Sequence, residues 1–178
     1  MKLNLEKLAK KNICLIGLMG AGKSVIGKLL AKKLKMGYYD SDKIIEKTFK
    51  KSINKIFSDH GEGYFRNIEE NIVLSLLDKK NCVISLGGGS ILSNLTRKTL
   101  ILNSFTVYLN VNIEILSERL KKSKKRPLIN NENIKEKLIH LTRDRNKYYK
   151  KSNIIVNNSK NTEETLNTIK SQLQKYYE

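Results

Sequence analysis

Apolar and polar positions along this chain follow two rhythms. Short apolar runs bounded by Gly, Asn, Asp or Lys predict strands at 12–16, 37–40, 82–86, 106–110 and 153–157. Between them apolar residues recur at helical spacing, as Val25, Ile26, Leu29, Leu30 and Leu34 do. Helices are predicted at 24–35, 42–50, 63–78, 113–122 and 133–149. A last one is predicted at 162–177, with Glu163 and Glu164 in its first turn. Strand and helix in alternation imply an α/β domain, a three-layer sandwich with a parallel sheet covered by helices on both faces. Ligands of such sheets bind at the carboxyl ends of the strands. The residues that follow each strand are therefore where chemistry is expected.

After the first strand comes Gly17-Leu18-Met19-Gly20-Ala21-Gly22-Lys23-Ser24, which fits the phosphate-loop pattern G-x-x-x-x-G-K-[ST]. Glycines let successive backbone N–H groups turn inward to phosphate oxygens, and the helix that follows adds the positive end of its dipole. Gly20, Ala21, Gly22, Lys23, Ser24 and Val25 are the expected nucleotide contacts, with Lys23 on the β- and γ-phosphates and Ser24 on Mg²⁺. After the second strand stand Asp40 and Asp42. Asp40 is a candidate to hold the metal directly or through water. Asp42 either readies a substrate hydroxyl for attack or caps the helix it begins. After the third strand, Ser85 precedes Gly87, Gly88 and Gly89. Three successive glycines suit a ligand lying flat against the main chain, and Ser85 is placed to share the metal's water shell.

Arginine occurs only at 66, 97, 119, 126, 143 and 145 in a chain that otherwise uses lysine. Where lysine is the default, an arginine suggests a need for a planar fork. Arg66 and Arg145 are candidates to clamp one carboxylate, with Glu69 steadying Arg66 from one helical turn away. Surface ion pairs are the plainer reading of each, and the one kept for Arg97 and Arg143.

Composition narrows the picture without changing it. At 178 residues one domain spanning 1–178 is expected. No apolar run approaches the roughly 18 residues of a membrane span. The basic start and the apolar run at 13–21 superficially resemble a secretory signal, but cleavage there would destroy the first strand and the phosphate loop. A cytoplasmic location is expected. Cys14 and Cys82 lie in strand-like runs with no metal-ligand spacing and read as small buried apolar residues. The net charge of +18 is spread as lysine along nearly every helix. That argues against a dedicated nucleic-acid face, while still drawing anionic substrates in. The polar, basic stretch 121–133 holds Arg126 and the chain's one proline, Pro127. It reads as a lid that closes over ATP and brings Arg126 to the transferring phosphate, or as a solvated lysine run.

Taken together, these residues resemble a shikimate kinase of the bacterial type, over roughly 12–157. The likeness rests on the phosphate loop, Asp40-Ser41-Asp42, Gly61-Glu62-Gly63-Tyr64-Phe65-Arg66 with Ile68-Glu69-Glu70, Ser85 to Gly89, Arg126-Pro127-Leu128 and Arg145-Asn146-Lys147-Tyr148. The resemblance implies a five-stranded parallel sheet of order 2-3-1-4-5 in a usually monomeric enzyme with Mg²⁺ as cofactor. It also implies ATP-dependent phosphorylation of the 3-hydroxyl of shikimate in aromatic amino-acid biosynthesis. Shikimate would meet Asp42, Arg66, Gly87, Gly88, Gly89 and Arg145, with the substrate region near 40–70. Arg119 would pack on adenine, Arg126 would contact phosphate, and Lys23, Asp42 and Arg126 would carry the catalysis. The family often has proline where Lys147 stands, so the turn holding Arg145 is expected to be slightly looser. A gluconate or nucleoside monophosphate kinase is the nearest rival, and a non-catalytic basic module binding nucleic acid the more distant one. A neutral sugar needs no paired arginines, and a monophosphate kinase would use them on phosphate. The tyrosines cluster at 38–39, 148–149 and the C-terminus, without the interleaved basic and aromatic pattern of a nucleic-acid platform.

Overall fold

A computed structural model describes residues 5–122, 133–158 and 161–176. Its centre is β1 (Asn12–Ile16), a wholly buried run that can only be an interior strand. It is flanked by β3 (Cys82–Ser85) and β4 (Ser104–Asn110), with β2 (Gly37–Asp40) and β5 (Ile154–Asn157) at the edges. All pairs are parallel, in the expected order β2-β3-β1-β4-β5. Register sets Leu15 beside Ser85 and Ser85 beside Asp40, so the functional loops leave one edge of the sheet together.

Helix α1 (Lys23–Leu34) buries Ile26, Leu30, Ala31 and Leu34 against the sheet. α2 (Ser41–Phe49) follows β2, and α3 runs from Ile53 to Leu77. α4 (Asn94–Asn103), α5 (Ile113–Lys121), α6 (Ile134–Tyr149) and α7 (Thr162–Lys175) complete the domain. The chain steps one way from β1 to β2 and the other way afterwards. Right-handed crossovers therefore set α1 and α3 on opposite faces. α3 packs with α4, and α7 returns beside α1. No helix among the described residues is long and apolar enough to cross a membrane.

Two helical pieces were not visible in the apolar pattern. The first, from Ile53, joins the predicted 63–78 helix across a kink at Gly61, whose φ of 79° breaks the helix. It buries Ile56 with Ile45 and Phe65 in a small separate core between α2 and α3. The second is α4, which buries only Thr96 and Leu100 while Leu95, Ile101 and Leu102 face solvent. With three of its four apolar residues outside, it shows no clean stripe. Both cysteines are free and buried, as expected.

Candidate functional site

The phosphate loop spans the turn from β1 to α1. Gly22 caps α1 at φ 88°, a left-handed conformation that residues with a Cβ adopt at a cost of about 1–2 kcal/mol. The Lys23 ammonium folds back on the loop and donates to the Gly17 and Leu18 carbonyls, 2.9 Å from each. Ser24 and Val25 sit exposed at the helix start. Arg119, on α5, donates to the Gly20 and Asn158 carbonyls at 3.4 and 3.2 Å. It thus lies against the nucleotide loop. Arg126 lies outside the described residues, as does most of the 121–133 stretch.

Asp40 is buried at the end of β2 and caps α2, accepting from the Lys43 N–H at 3.3 Å. The helix cap is therefore Asp40, and Asp42 does not serve that purpose. Tyr38, two residues earlier on the same face of β2, sets its hydroxyl 3.2 Å from Asp40 Oδ2, 3.2 Å from Ser85 Oγ and 3.1 Å from the Ser24 carbonyl. Burial, and next to it the Asp40 charge, push the Tyr38 phenol up to about 12, although hydrogen bonding to Ser85 opposes this. Tyr38 stays protonated and serves as a donor. Ser85 donates to the Lys23 carbonyl at 2.9 Å, so its proton is already committed to the start of α1.

The triple glycine forms the floor of the second half of the site. Gly87 donates its N–H to Ser41 Oγ at 2.8 Å, which fixes the loop to the start of α2. A Cβ on Gly87 would meet Asp42 Oδ1 at 2.5 Å and Glu69 Oε1 at 2.6 Å. One on Gly88 would lie 3.6 Å from Arg145 Nη1 and 3.3 Å from the Gly17 carbonyl oxygen. One on Gly89 would strike Arg66 Nη1 at 2.1 Å. The absent side chains are thus replaced by Asp42, Arg145 and Arg66, one after another. Consecutive Cα atoms are about 3.8 Å apart, so the two guanidinium groups flank one short stretch of loop. The same stretch abuts the phosphate loop.

Each arginine is held in place. Arg66 bonds Glu69 Oε2 at 2.6 Å and Glu62 Oε1 at 3.0 Å, and lies over the Phe57 and Phe65 rings. Burial alone would lower its pKa. Glu69 and Glu62 outweigh burial and leave it above the usual arginine value. Glu69, only 3% exposed, also accepts from Ser90 Oγ at 2.8 Å. Arg145 is buried on α6 and donates to the Gly88 carbonyl at 3.1 Å, and the Tyr149 hydroxyl donates to the same oxygen at 2.7 Å. Burial pushes the Tyr149 phenol well up despite the nearby Arg145 charge.

Arg97 differs from its expected surface ion pair. It donates to the Ile91 and Leu92 carbonyls and stacks 4.1 Å over the Tyr148 ring, bracing the loop after the glycines against α6. Tyr38, Asn158, Ser90 and Tyr149 escaped the sequence reading. Tyr38 carried a signal, two residues before Asp40 and so on the same strand face. Asn158 carried a weaker one, standing just past the last strand.

A model of the shikimate kinase family matches residues 19–174. The shikimate kinase of Bartonella henselae is 37% identical over 169 residues, covering 94% of this chain and 80% of that protein. A shikimate kinase from Acinetobacter baumannii, solved in complex with shikimate, superposes with a TM-score of 0.89 at 31% identity, over 94% of both chains. A gluconokinase from Sinorhizobium meliloti superposes with a TM-score of 0.61 at 15% identity over 93% of both, a likeness of fold alone.

Proposed function

Because the chain belongs to the shikimate kinase family, we propose that its site transfers the γ-phosphoryl group of ATP to the 3-hydroxyl of shikimate, releasing shikimate 3-phosphate and ADP. One observation supports this assignment of residues above the rest. One buried guanidinium group, one half-buried one and a carboxylate crowd a glycine floor that touches the phosphate loop. Paired forks recognise a carboxylate bidentately, and a carboxylate beside them suits neighbouring hydroxyls.

In this reading Arg66 and Arg145 grip the shikimate carboxylate, and the flat glycine floor receives the ring. Asp42 accepts a hydrogen bond from the attacking hydroxyl and takes its proton late. The new O–P bond forms in line as the bond from the γ-phosphorus to the bridging oxygen breaks, leaving ADP. Lys23 leaves the Gly17 and Leu18 carbonyls for the β- and γ-phosphates, where Arg126 adds a second positive charge. Most of the acceleration comes from positioning and fixed charge.

Ser24 and Asp40 suit Mg²⁺, which prefers hard oxygen donors and commonly takes one or two protein ligands beside phosphate and water. The two hydrogen bonds that Asp40 accepts are long, so its carboxylate keeps lone pairs for a cation or its water. No group of three or more His, Cys, Asp or Glu residues able to hold a metal occurs among the described residues, so phosphate oxygens and water would complete the shell. When bound, the ion neutralises charge on the phosphate oxygens. All the side chains invoked come from one chain, so a monomer suffices, and buried free thiols suit a reducing cytoplasm.

The test is a coupled ADP-release assay with shikimate, quinate, gluconate and AMP side by side. The expected outcome is a kcat/KM for shikimate on the order of 100-fold or more above each of the others. Equal turnover of gluconate or AMP would overturn the assignment.

A further inference from the structure

Asn158 is 5% exposed and joins four parts of the nucleotide side. Its backbone N–H donates to the Asn110 carbonyl at the end of β4, 2.9 Å away. Its Nδ2 donates to the Ala21 carbonyl of the phosphate loop at 2.7 Å. Its Oδ1 lies 3.0 Å from the Thr165 hydroxyl on α7, and its own carbonyl accepts from Arg119 on α5. A carbonyl can only accept, so Ala21 fixes which way the amide faces. Gly22 is matched to this contact, since a Cβ there would meet Asn158 Nδ2 at 2.7 Å.

We propose that Asn158 is a positioning residue for the nucleotide, acting through the Ala21–Gly22 peptide. A trans peptide is planar, and its C=O and N–H point in opposite directions. By drawing the Ala21 carbonyl toward itself, Asn158 turns the Gly22 N–H the other way, into the hollow of the loop where a phosphate oxygen is received. Arg119 restrains the neighbouring Gly20 carbonyl from the same side. The two side chains hold consecutive carbonyls outward, so the loop is shaped for phosphate before nucleotide arrives. Asn158 touches no reacting atom in this account. The inference rests on the phosphate loop binding ATP as proposed above.

Calorimetric titration of ADP and, separately, of shikimate tests it on Asn158→Ala, Asn158→Asp and Thr165→Val. Asn158→Ala is expected to weaken ADP roughly tenfold, the loss typical of one buried hydrogen-bond partner. Asn158→Asp sets a carboxylate oxygen against the Ala21 carbonyl and is expected to cost more. Thr165→Val cuts the tie to α7 but keeps the bond to Ala21, and is expected to change ADP affinity less than about twofold. Shikimate affinity stays at the wild-type value in all three. Should Asn158→Ala not fold, Asn158→Leu, closer in volume, carries the same expectation. ADP affinity unchanged in the Asn158 variants overturns the proposal, as does an equal loss from Thr165→Val or a parallel loss of shikimate affinity. Failure of the wild-type chain to bind ADP would overturn the nucleotide reading instead.

Discussion

The two loops that meet in this site are built on different principles. The phosphate loop is one contiguous segment shaped by its backbone. A left-handed Gly22, carbonyls turned outward to Asn158 and Arg119, and the Lys23 ammonium on its own carbonyls all lie within or beside eight residues. The glycine floor contributes almost nothing itself. Its chemistry comes from side chains on α2, α3 and α6, far apart in sequence and held by ion pairs and by the Gly88 carbonyl. The first should fail when the backbone is perturbed. The second should fail when a side chain is displaced, even where the backbone tolerates the change.

Substitutions can break the comparison in order of expected size. Lys23→Met removes the cation proposed to meet the transferring phosphate, and turnover is expected to fall on the order of 10³-fold, read by ADP release. Near-UV circular dichroism should be unchanged, since the ammonium donates to carbonyls of its own loop and fills no part of the core.

Gly89→Ala and Gly22→Ala form a matched pair. Gly89 has φ −89° and ψ −18°, which alanine adopts freely, but the new methyl group occupies the place of the Arg66 guanidinium. Its melting temperature should barely move, while the shikimate KM rises about tenfold through loss of a charge-assisted contact. Gly22→Ala meets both a left-handed backbone and Asn158. It should lose about 1–2 kcal/mol of stability and weaken ADP, with shikimate affinity spared. Equal effects of the two substitutions on both ligands would erase the distinction.

Glu69→Gln is a smaller test. The amide keeps the shape but gives up the charge that holds Arg66 through a 2.6 Å contact. Glu62 still restrains the arginine from the helix surface. A rise in shikimate KM of about three- to tenfold with little change in kcat is expected, measured by steady-state kinetics.

The smallest effect lies outside both loops. Burial pushes the Cys14 thiol up to about 12 and the Cys82 thiol to about 11, from an ordinary value of 9.0. Both remain protonated in the folded chain, so iodoacetamide should label them slowly at mildly alkaline pH and rapidly after unfolding. The sign for stability follows. Unfolded thiols ionise first, so the contribution is intact below 9.0 and is lost as pH climbs toward the folded values.

How much could be seen in the sequence follows the same division. The phosphate loop, the strands and their parallel arrangement were legible, because each is a local pattern of apolar spacing and glycine placement. Glu69 under Arg66 was legible too, being one helical turn away. α4 and the first part of α3 were not, because the start of α3 packs into a small side core and α4 leaves most of its apolar residues in solvent. Tyr149, and Asn158 beyond its place just past the last strand, were hidden for another reason. Each acts by donating a hydrogen bond to a backbone carbonyl distant in sequence, and that pairing exists only after the chain has folded. Arg97 was misread on the same ground, since its partners are carbonyls and a tyrosine ring rather than a carboxylate.

The claim on which the account turns is that Arg66 and Arg145 converge on one carboxylate. Calorimetric titration of shikimate and its methyl ester against the wild type and the Arg66→Lys, Arg145→Lys and doubly substituted chains tests it directly. The wild type is expected to prefer the free acid by more than about tenfold. Each single substitution should remove most of that preference, with the double substitution adding little. A wild-type chain that binds acid and ester equally, or losses that simply add, would contradict it.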